Sequence, residues 1–232
     1  HLRPDFIFAG LNNKKIKEGS PSNTVKIHQT IFHESGHFSH AMKAGAGFWA
    51  QVYASEMSNS FLLGDPYVDG SKPSYQAGRI IGLAEGWGNF CEFKITSAIY
   101  GKAYMSPSGF DRNMYPTTNI TTFMERFNIY DVPMTEPDYD DRHWFAHGVM
   151  WDLLDNVVDG SQSVHRTGNG NFVNYIIDNC YIGSSSNTND LSSIFNRLNS
   201  NIETPTQFRD ALINANPAQA TPIRNLFNSY GY

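Results

Sequence analysis

Hydrophobic positions along this chain recur mainly with the period of an α-helix, and polar loops separate the helical stretches. The first predicted helix covers residues 24–42, and Ser22 or Asn23 is placed to cap its first turn. The helical pattern then meets Gly45 and Gly47, which disfavour a continuous helix. We therefore expect an interruption at these glycines.

The helical period returns several times further along the chain. A second helix is predicted to begin near Phe48. Ser74 can cap a long third helix, which should end near Tyr100 because Gly101 stops it. A strongly apolar helix follows at residues 143–158. The other predicted helices are short and lie at residues 123–130, 171–179, 190–199, 205–215 and 220–229.

One segment near the start has the composition of a strand. Residues 5–10, DFIFAG, combine aromatic and β-branched residues and end at Gly10. One strand among many helices predicts a mainly α (α+β) fold. There is no internal repeat or sign of a second domain, and an apolar content of 40% in 232 residues fits one globular domain with a sizeable core.

The charge distribution argues against nucleic acid and anionic membranes as partners. The net charge is −5, and positive charges form no run or stripe. No uncharged apolar segment is long enough to span a bilayer. The chain begins at His1 rather than Met, which is compatible with a removed leader or pro-segment or with additional domains upstream.

Composition also bears on the compartment. Low charge and an abundance of Asn, Ser, Gly and Tyr favour an extracytoplasmic protein, either secreted or at the cell surface. Cys91 and Cys180 can form one disulfide, but Cys91 lies in a helical pattern, where a buried free thiol is the commoner state.

The main chemical motif is HExxH in the first predicted helix, formed by His33, Glu34 and His37. Four residues along an α-helix place the two histidines on one face, one turn apart. Neutral imidazoles are good zinc ligands, and a neighbouring carboxylate that is not a ligand can take the proton of a water whose pKa the metal lowers. The motif therefore predicts metal-assisted hydrolysis, although two ordinary helix histidines with an incidental Glu give the same pattern.

A catalytic zinc needs a third protein ligand. The extended motif HExxHxxGxxH would supply one, but His40 occupies the position of its glycine and Lys43 that of its last histidine. A glutamate on a separate helix is the other source. The candidates, in order of preference, are Glu85, Glu92 and Glu56.

The helix that carries Glu85 has a polar face. Glu85, Asn89 and Glu92 follow i, i+4, i+7 spacing and so share one side of it. Asn89 can accept the spare N–H of a ligand histidine and thereby fix its tautomer. The alternative is a simple polar stripe. Gly86 and Gly88, each costing roughly 1 kcal/mol relative to Ala in a helix, suggest close packing against another helix.

Two of these stretches, HESGH and AEGWGNFCEFKITSAI, resemble the zinc-binding helices of the fungalysins, secreted metalloendopeptidases related in fold to thermolysin. GVMWDLLDNVVDG, TPTQFRDALINANP and IRNLFNSYG are more weakly similar, so the resemblance extends from Val25 onward. It implies a thermolysin-like C-terminal helical lobe. It also implies His33, His37 and Glu85 as zinc ligands and Glu34 as the general base.

The chain departs from that family in three respects. The spacer between the zinc helices is long, so residues 46–73 are expected to be an insertion within a zinc-binding region at 23–101. Asn89 replaces the usual aspartate. The part before the zinc helix is minimal: residues 1–22 would supply only an edge strand for an extended substrate, ahead of a helical lobe at 102–232.

An oxyanion donor is expected just before the apolar helix, as in the related enzymes. His143 is favoured because Asp141 or Asp138 can keep it protonated, and His147 shares its face at i+4. Tyr139 is a further candidate donor, although a lone tyrosine is more often a packing residue.

Several other residues invite a functional interpretation. His40, seven residues after His33 and on nearly the same helix face, can contact a metal ligand without binding the metal itself. A surface or partly buried histidine is nevertheless the expectation. Asp138, Asp140 and Asp141 are candidates for calcium but lack the pattern of a defined calcium loop, so a solvated loop is expected.

The residues and the resemblance together predict a zinc metallopeptidase, and we expect an endopeptidase rather than an exopeptidase. One catalytic zinc ion would act on peptide or protein substrates, with Glu34 as general base and His143 or His147 as donor. Two alternatives stay open: a non-catalytic zinc-containing binding module with a closed or structural site, and a zinc hydrolase acting on a bond other than the peptide bond.

Overall fold

The computed structural model describes residues 24–63, 76–101, 149–154, 162–166, 172–176 and 191–229. These residues are mainly helical, as predicted. The helices are α1 (Thr24–Leu63), α2 (Gln76–Tyr100), α3 (Val149–Asp152), α4 (Ser192–Phe195), α5 (Pro205–Ala215) and α6 (Ala220–Ser229), with a 3-10 turn at Pro217–Gln219 and strands β1 (Gln162–Arg166) and β2 (Phe172–Ile176). None of these helices combines the length and apolarity of a bilayer span.

Helix α1 consists of two helical segments joined at a kink. The break lies at Gly45, whose φ of 84° and ψ of 171° are non-helical. A positive φ is readily adopted only by a residue without Cβ. The predicted interruption is confirmed at Gly45, and a second helical segment continues through Phe48 as expected. Residues 46–63 of the expected insertion are therefore helical.

Helix α2 is the centre of the described fold. Every residue from position 80 to 93 is buried, and the helix contacts α1, α3 and α5. A helix that is buried on all sides lies inside a core rather than on its surface. The helix ends at Tyr100, and Gly101 has a φ of 89°, which confirms the predicted stop.

Side-chain contacts join α1 and α2 along their length. The Trp87 indole nitrogen donates a hydrogen bond to Ser39 Oγ at 2.9 Å. Near the other end of the pair, His28 Nδ1 hydrogen-bonds the Tyr100 hydroxyl, and the two rings stack with their centroids 5.7 Å apart. These contacts hold the first segment of α1 against α2 on both sides of the HExxH motif.

The C-terminal helices agree with prediction because their ends are marked in the sequence. Thr204 Oγ1 accepts a hydrogen bond from the Gln207 backbone, the Gln207 side chain accepts one from the Thr204 backbone, and Pro205 occupies the first turn. Helices α5 and α6 therefore have the bounds expected from the pattern. Helix α4 lies within the predicted 190–199 but is shorter.

The helix predicted at 171–179 is wrong. Residues Phe172–Ile176 form β2, which pairs antiparallel with β1 so that Gln162 faces Ile176 and Arg166 faces Phe172. The sequence FVNYI is aromatic and β-branched, and a TGNGN stretch precedes it. Glycine and asparagine between two such runs are the usual signal of a hairpin, and that signal outweighs a weak helical period.

Several predictions lie outside the described residues. They are the strand at 5–10 with the N-terminal segment 1–22, the helix at 123–130, residues 143–148 and 155–158 of the predicted apolar helix, and the remainder of the expected insertion. Leu153 and Leu154, which also belong to that predicted helix, form a turn after α3.

Candidate metal centre

The candidate site lies where the first segment of α1 crosses α2. His33 and His37 are one turn apart on α1, and Glu85 reaches them from α2. The two Nε2 atoms are 2.9 Å apart, and Glu85 Oε2 lies 3.2 Å from His33 Nε2 and 3.5 Å from His37 Nε2. The structure thus brings together the three ligands that the sequence predicts, and among the described residues they form a group that can hold a metal ion.

The spacing of these three atoms matches the size of a metal coordination sphere. A tetrahedral zinc ion bound at about 2.0–2.1 Å separates its ligand atoms by about 3.3–3.4 Å. The observed separations of 2.9, 3.2 and 3.5 Å bracket that value. Two imidazole nitrogens and a carboxylate oxygen also form a donor set that zinc commonly accepts. The residues therefore fit such an ion with only small side-chain adjustments.

Two glycines allow the helices to approach closely enough to form the site. A Cβ on Gly88 would lie 2.8 Å from His37 Cε1 and 3.0 Å from His33 Cε1, inside the van der Waals contact of both rings. A Cβ on Gly36 would lie 3.1 Å from the Gly88 Cα and 3.0 Å from the Cys91 Cβ. The predicted close packing around Gly88 is thus confirmed, and its function is to give the two imidazoles room against α2.

Burial and charge in the metal-free site oppose each other. Burial alone would lower the pKa of His33, but the close contact with Glu85 and the negative charges of Glu85 and Glu92 outweigh burial and raise that pKa to about 10. Burial likewise opposes ionisation of Glu85, but the histidines, His37 foremost, hold its pKa well below the ordinary value. His33 and Glu85 therefore stabilise each other's charged forms, and a cation that binds here must compete with the proton on His33.

The group beside the outer nitrogen of His33 is Glu92 rather than Asn89. Glu92 Oε2 lies 3.4 Å from His33 Nδ1, close enough for an ionic contact but without the alignment of a hydrogen bond. Neither His33 Nδ1 nor His37 Nδ1 has a hydrogen-bond partner. The expectation that Asn89 accepts the spare N–H of a ligand histidine is therefore wrong in this structure. A carboxylate three residues further along the same helix face is nearest instead.

Two further carboxylates bear on the site. Glu34 is half-buried directly beside the first ligand in the chain. Glu56, on the second segment of α1, is not part of the ligand group. Burial raises its pKa to about 8, helped by the negative charges of Glu85 and Glu34. Glu56 therefore lies close enough to Glu85 and Glu34 for their charges to act on it, on the segment of α1 that follows the kink at Gly45.

An aromatic wall lies behind the ligand His37, which is only 1% exposed. The Trp49 ring meets the His37 ring edge-on with centroids 5.3 Å apart. His40 packs against Trp49 and Phe48 with centroids 5.7 and 4.6 Å away. The expectation of a surface or partly buried His40 is wrong, because the kink after it returns two aromatic rings over an imidazole that is 0% exposed.

The chemistry of His40 follows from that packing. Neither of its ring nitrogens has a hydrogen-bond partner. Burial, and then the charge of neighbouring His37, lowers its pKa to about 3. His40 is therefore a neutral core residue, and it is not part of the described ligand group. Trp49 is likewise buried in the core.

Cys91 is a free, buried thiol, as the helical pattern suggested. Burial raises its pKa to about 12, so the thiol is not a reactive thiolate. The candidate oxyanion donors and the acidic loop lie outside the described residues, as does the second cysteine; these are His143, His147, Tyr139, Asp138, Asp140, Asp141 and Cys180.

No protein-family model, curated protein or solved structure significantly matches this chain. Function is therefore argued from the site itself. Its central features are a buried imidazole pair, a carboxylate from a second helix, and two glycines that bring the helices together.

Proposed function

We propose that this protein is a zinc-dependent peptidase that hydrolyses peptide bonds with Glu34 as general base. The observation that carries the proposal is the convergence of His33 Nε2, His37 Nε2 and Glu85 Oε2 at separations of 2.9 to 3.5 Å. The ligands come from positions about fifty residues apart in the chain, on two helices packed through glycines. Such an arrangement requires tertiary structure, so it is more specific than HExxH alone.

The number and type of ligands favour zinc in a catalytic role. Structural zinc sites usually use four protein ligands, often cysteines, whereas catalytic sites use three and leave a position for water or substrate. Among the described residues, the ligand group has three members, two histidines and a glutamate. The same set of ligand types occurs in zinc peptidases. When bound, zinc lowers the pKa of a water molecule and polarises the scissile carbonyl.

Glu34 is our candidate for the group that transfers protons. It follows His33 directly on α1 and is half-buried, so its side chain is not closed off from solvent. We assign it the role of taking the proton from the attacking water and delivering it to the leaving amine. Glu85 keeps its negative charge through contact with both histidines, and its role is to hold the metal.

The developing oxyanion needs a donor, for which His143 is the first candidate and His147 the second. The weak similarity of GVMWDLLDNVVDG to the corresponding fungalysin segment supports this placement. The start of that stretch is described as α3, whose Val149–Asp152 is buried and contacts α2, the helix that carries Glu85.

The test compares three single variants in zinc content and in hydrolysis of a mixed peptide library. Glu34→Gln should bind zinc with unchanged stoichiometry but lose hydrolysis by a factor of about 10² to 10⁴, the usual size of general acid–base catalysis. Glu85→Ala should lose zinc and hydrolysis together. Glu203→Gln is the matched control, since Glu203 lies far along the chain and accepts a hydrogen bond from Gln51 that a glutamine can also accept.

The outcomes separate the proposed peptidase from the two other functions. Retained peptide hydrolysis in Glu34→Gln would remove the assignment of the base. Zinc binding without hydrolysis of any peptide by the unsubstituted protein would favour a binding module or a hydrolase of a different bond. Unchanged zinc content in Glu85→Ala would refute the metal site.

A further inference from the structure

Helix α2 places two buried carboxylates on the same side, one at each ring nitrogen of a single histidine. Glu85 Oε2 lies 3.2 Å from His33 Nε2, and Glu92 Oε2 lies 3.4 Å from His33 Nδ1. The glutamates are seven positions apart, which corresponds to about two turns, so both project toward α1. The imidazole is thus held between two acidic groups.

Glu92 is an unusual residue for its location. Its side chain is 0% exposed in the core beside Phe90 and Phe93. Removing a carboxylate from water is costly unless it gains compensating interactions, so a fully buried glutamate in an apolar helix calls for a specific partner. The ionic contact with His33 supplies one.

We infer that Glu92 is the positioning residue for His33, and that it replaces Asn89 in this role. With its negative charge beside Nδ1, Glu92 favours the tautomer that carries the ring proton on Nδ1 and so leaves Nε2 available to bind a metal ion when one displaces the proton there. The same charge adds to that of Glu85 and increases the attraction of the site for a divalent cation. This inference rests on the metal site of the proposed function, but it does not depend on which bond is hydrolysed.

The contacts of His33 distinguish Glu92 from Asn89, which is closer to Glu85 in the chain. Asn89 shares the face of Glu85 and Glu92 and lies one turn from the ligand, yet His33 Nδ1 has no hydrogen bond with it. The longer glutamate, almost one turn further on, approaches that nitrogen instead. The charged group beside the outer nitrogen of His33 therefore comes from position 92.

The experiment measures zinc affinity by competition with a chromophoric chelator, in Glu92→Gln and in the matched variant Asn89→Ala from the same helix face. Glu92→Gln should weaken zinc binding by about 10- to 100-fold, the usual effect of losing a group that orients a ligand. Asn89→Ala should leave the affinity unchanged. Glu92→Asp, which keeps the charge on a shorter side chain, should recover part of the loss.

A spectroscopic measurement separates positioning from a merely structural effect. With Co²⁺ in place of zinc, Glu92→Gln should shift the visible absorption bands of the bound ion, whereas Asn89→Ala should not. Equal zinc affinity and identical Co²⁺ spectra in Glu92→Gln and the unsubstituted protein would overturn the role of Glu92 while leaving the proposed function intact. Failure of the unsubstituted protein to bind zinc would overturn both.

Discussion

The α5–α6 pair and the α1–α2 pair are built on opposite principles. Helices α5 and α6 follow local rules: a capping box begins α5, and their buried side chains are apolar, as in the contact of Phe208 with Phe227 at a centroid distance of 6.0 Å. Helices α1 and α2 break those rules, with glycines in helical positions and ionisable groups in the core. Such departures are expected at functional sites, because residues there are selected for function rather than for stability.

The comparison predicts that stability and metal binding depend on different parts of the fold. The largest effect should come from Phe208→Ala, which removes a fully buried ring and should lower the free energy of unfolding by about 3–5 kcal/mol. Zinc affinity of the folded protein should be unchanged. Urea unfolding and chelator competition measure the two quantities.

The matched control for that variant is Phe61→Ala. Phe61 is 88% exposed on α1, so the same substitution there should change the free energy of unfolding by less than about 0.5 kcal/mol. If Phe208→Ala weakened zinc binding as strongly as it weakened folding, the two helix pairs would be coupled, and the contrast between them would not hold.

The second prediction tests the glycine contact that forms the site. Gly88→Ala places a methyl group within 3.0 Å of both ligand rings, which must rotate away from Glu85. We expect a loss of zinc affinity of at least about 100-fold. The free energy of unfolding should fall by about 1–3 kcal/mol, because overpacking outweighs the gain in helix propensity.

Gly47→Ala is the control that separates crowding from propensity. Nothing lies within 4 Å of a Cβ at Gly47, so this variant should gain up to about 1 kcal/mol and bind zinc normally. Normal zinc affinity in Gly88→Ala would show that the close approach of α1 and α2 is not what forms the site.

The third and smallest prediction concerns pH in the metal-free protein. The pKa of His33 is raised from 6.5 to about 10, so its contribution to stability is complete below about pH 6.5 and is lost as pH rises through about 10. Glu56, with its pKa raised from 4.5 to about 8, acts in the same direction. Glu85 has a lowered pKa, so its contribution is present above about 4.5 and is lost as pH falls.

Stability of the metal-free protein should therefore decrease between about pH 6.5 and 10, by an amount of order a few kcal/mol. Zinc affinity should rise over the same range, since the metal must displace the proton on His33. Urea unfolding of EDTA-treated protein and proton release on zinc addition measure these effects. His33→Gln should flatten both profiles, and a metal-free protein that became more stable toward pH 9 would contradict the stabilisation of charged His33 by Glu85.

Sequence reasoning succeeded where a local signal exists. The bounds of α5 and α6 follow from Thr204, Pro205 and Gln207, and the stop of α2 follows from Gly101. The shared face of His33 and His37 follows from helix periodicity alone. In each case the relevant interactions lie within about one turn of the residue concerned.

It failed where the outcome depends on how helices pack. Three polar residues share the α2 face, and the crossing of α1 and α2 and the length of each side chain decide which of them lies beside His33 Nδ1. That residue is Glu92 rather than Asn89. The burial of His40 depends on a kink that returns Trp49 over it. Periodicity alone does not encode either relationship.

The central claim is that three side chains from α1 and α2 bind one zinc ion and leave a position open. A crystal structure of the zinc-loaded protein, with anomalous diffraction at the zinc edge, tests it directly. The account predicts one ion bonded to His33 Nε2, His37 Nε2 and a Glu85 oxygen at about 2.0–2.2 Å, with water in the fourth position. An ion bound elsewhere, or one whose fourth position is filled by a further protein side chain, would contradict it.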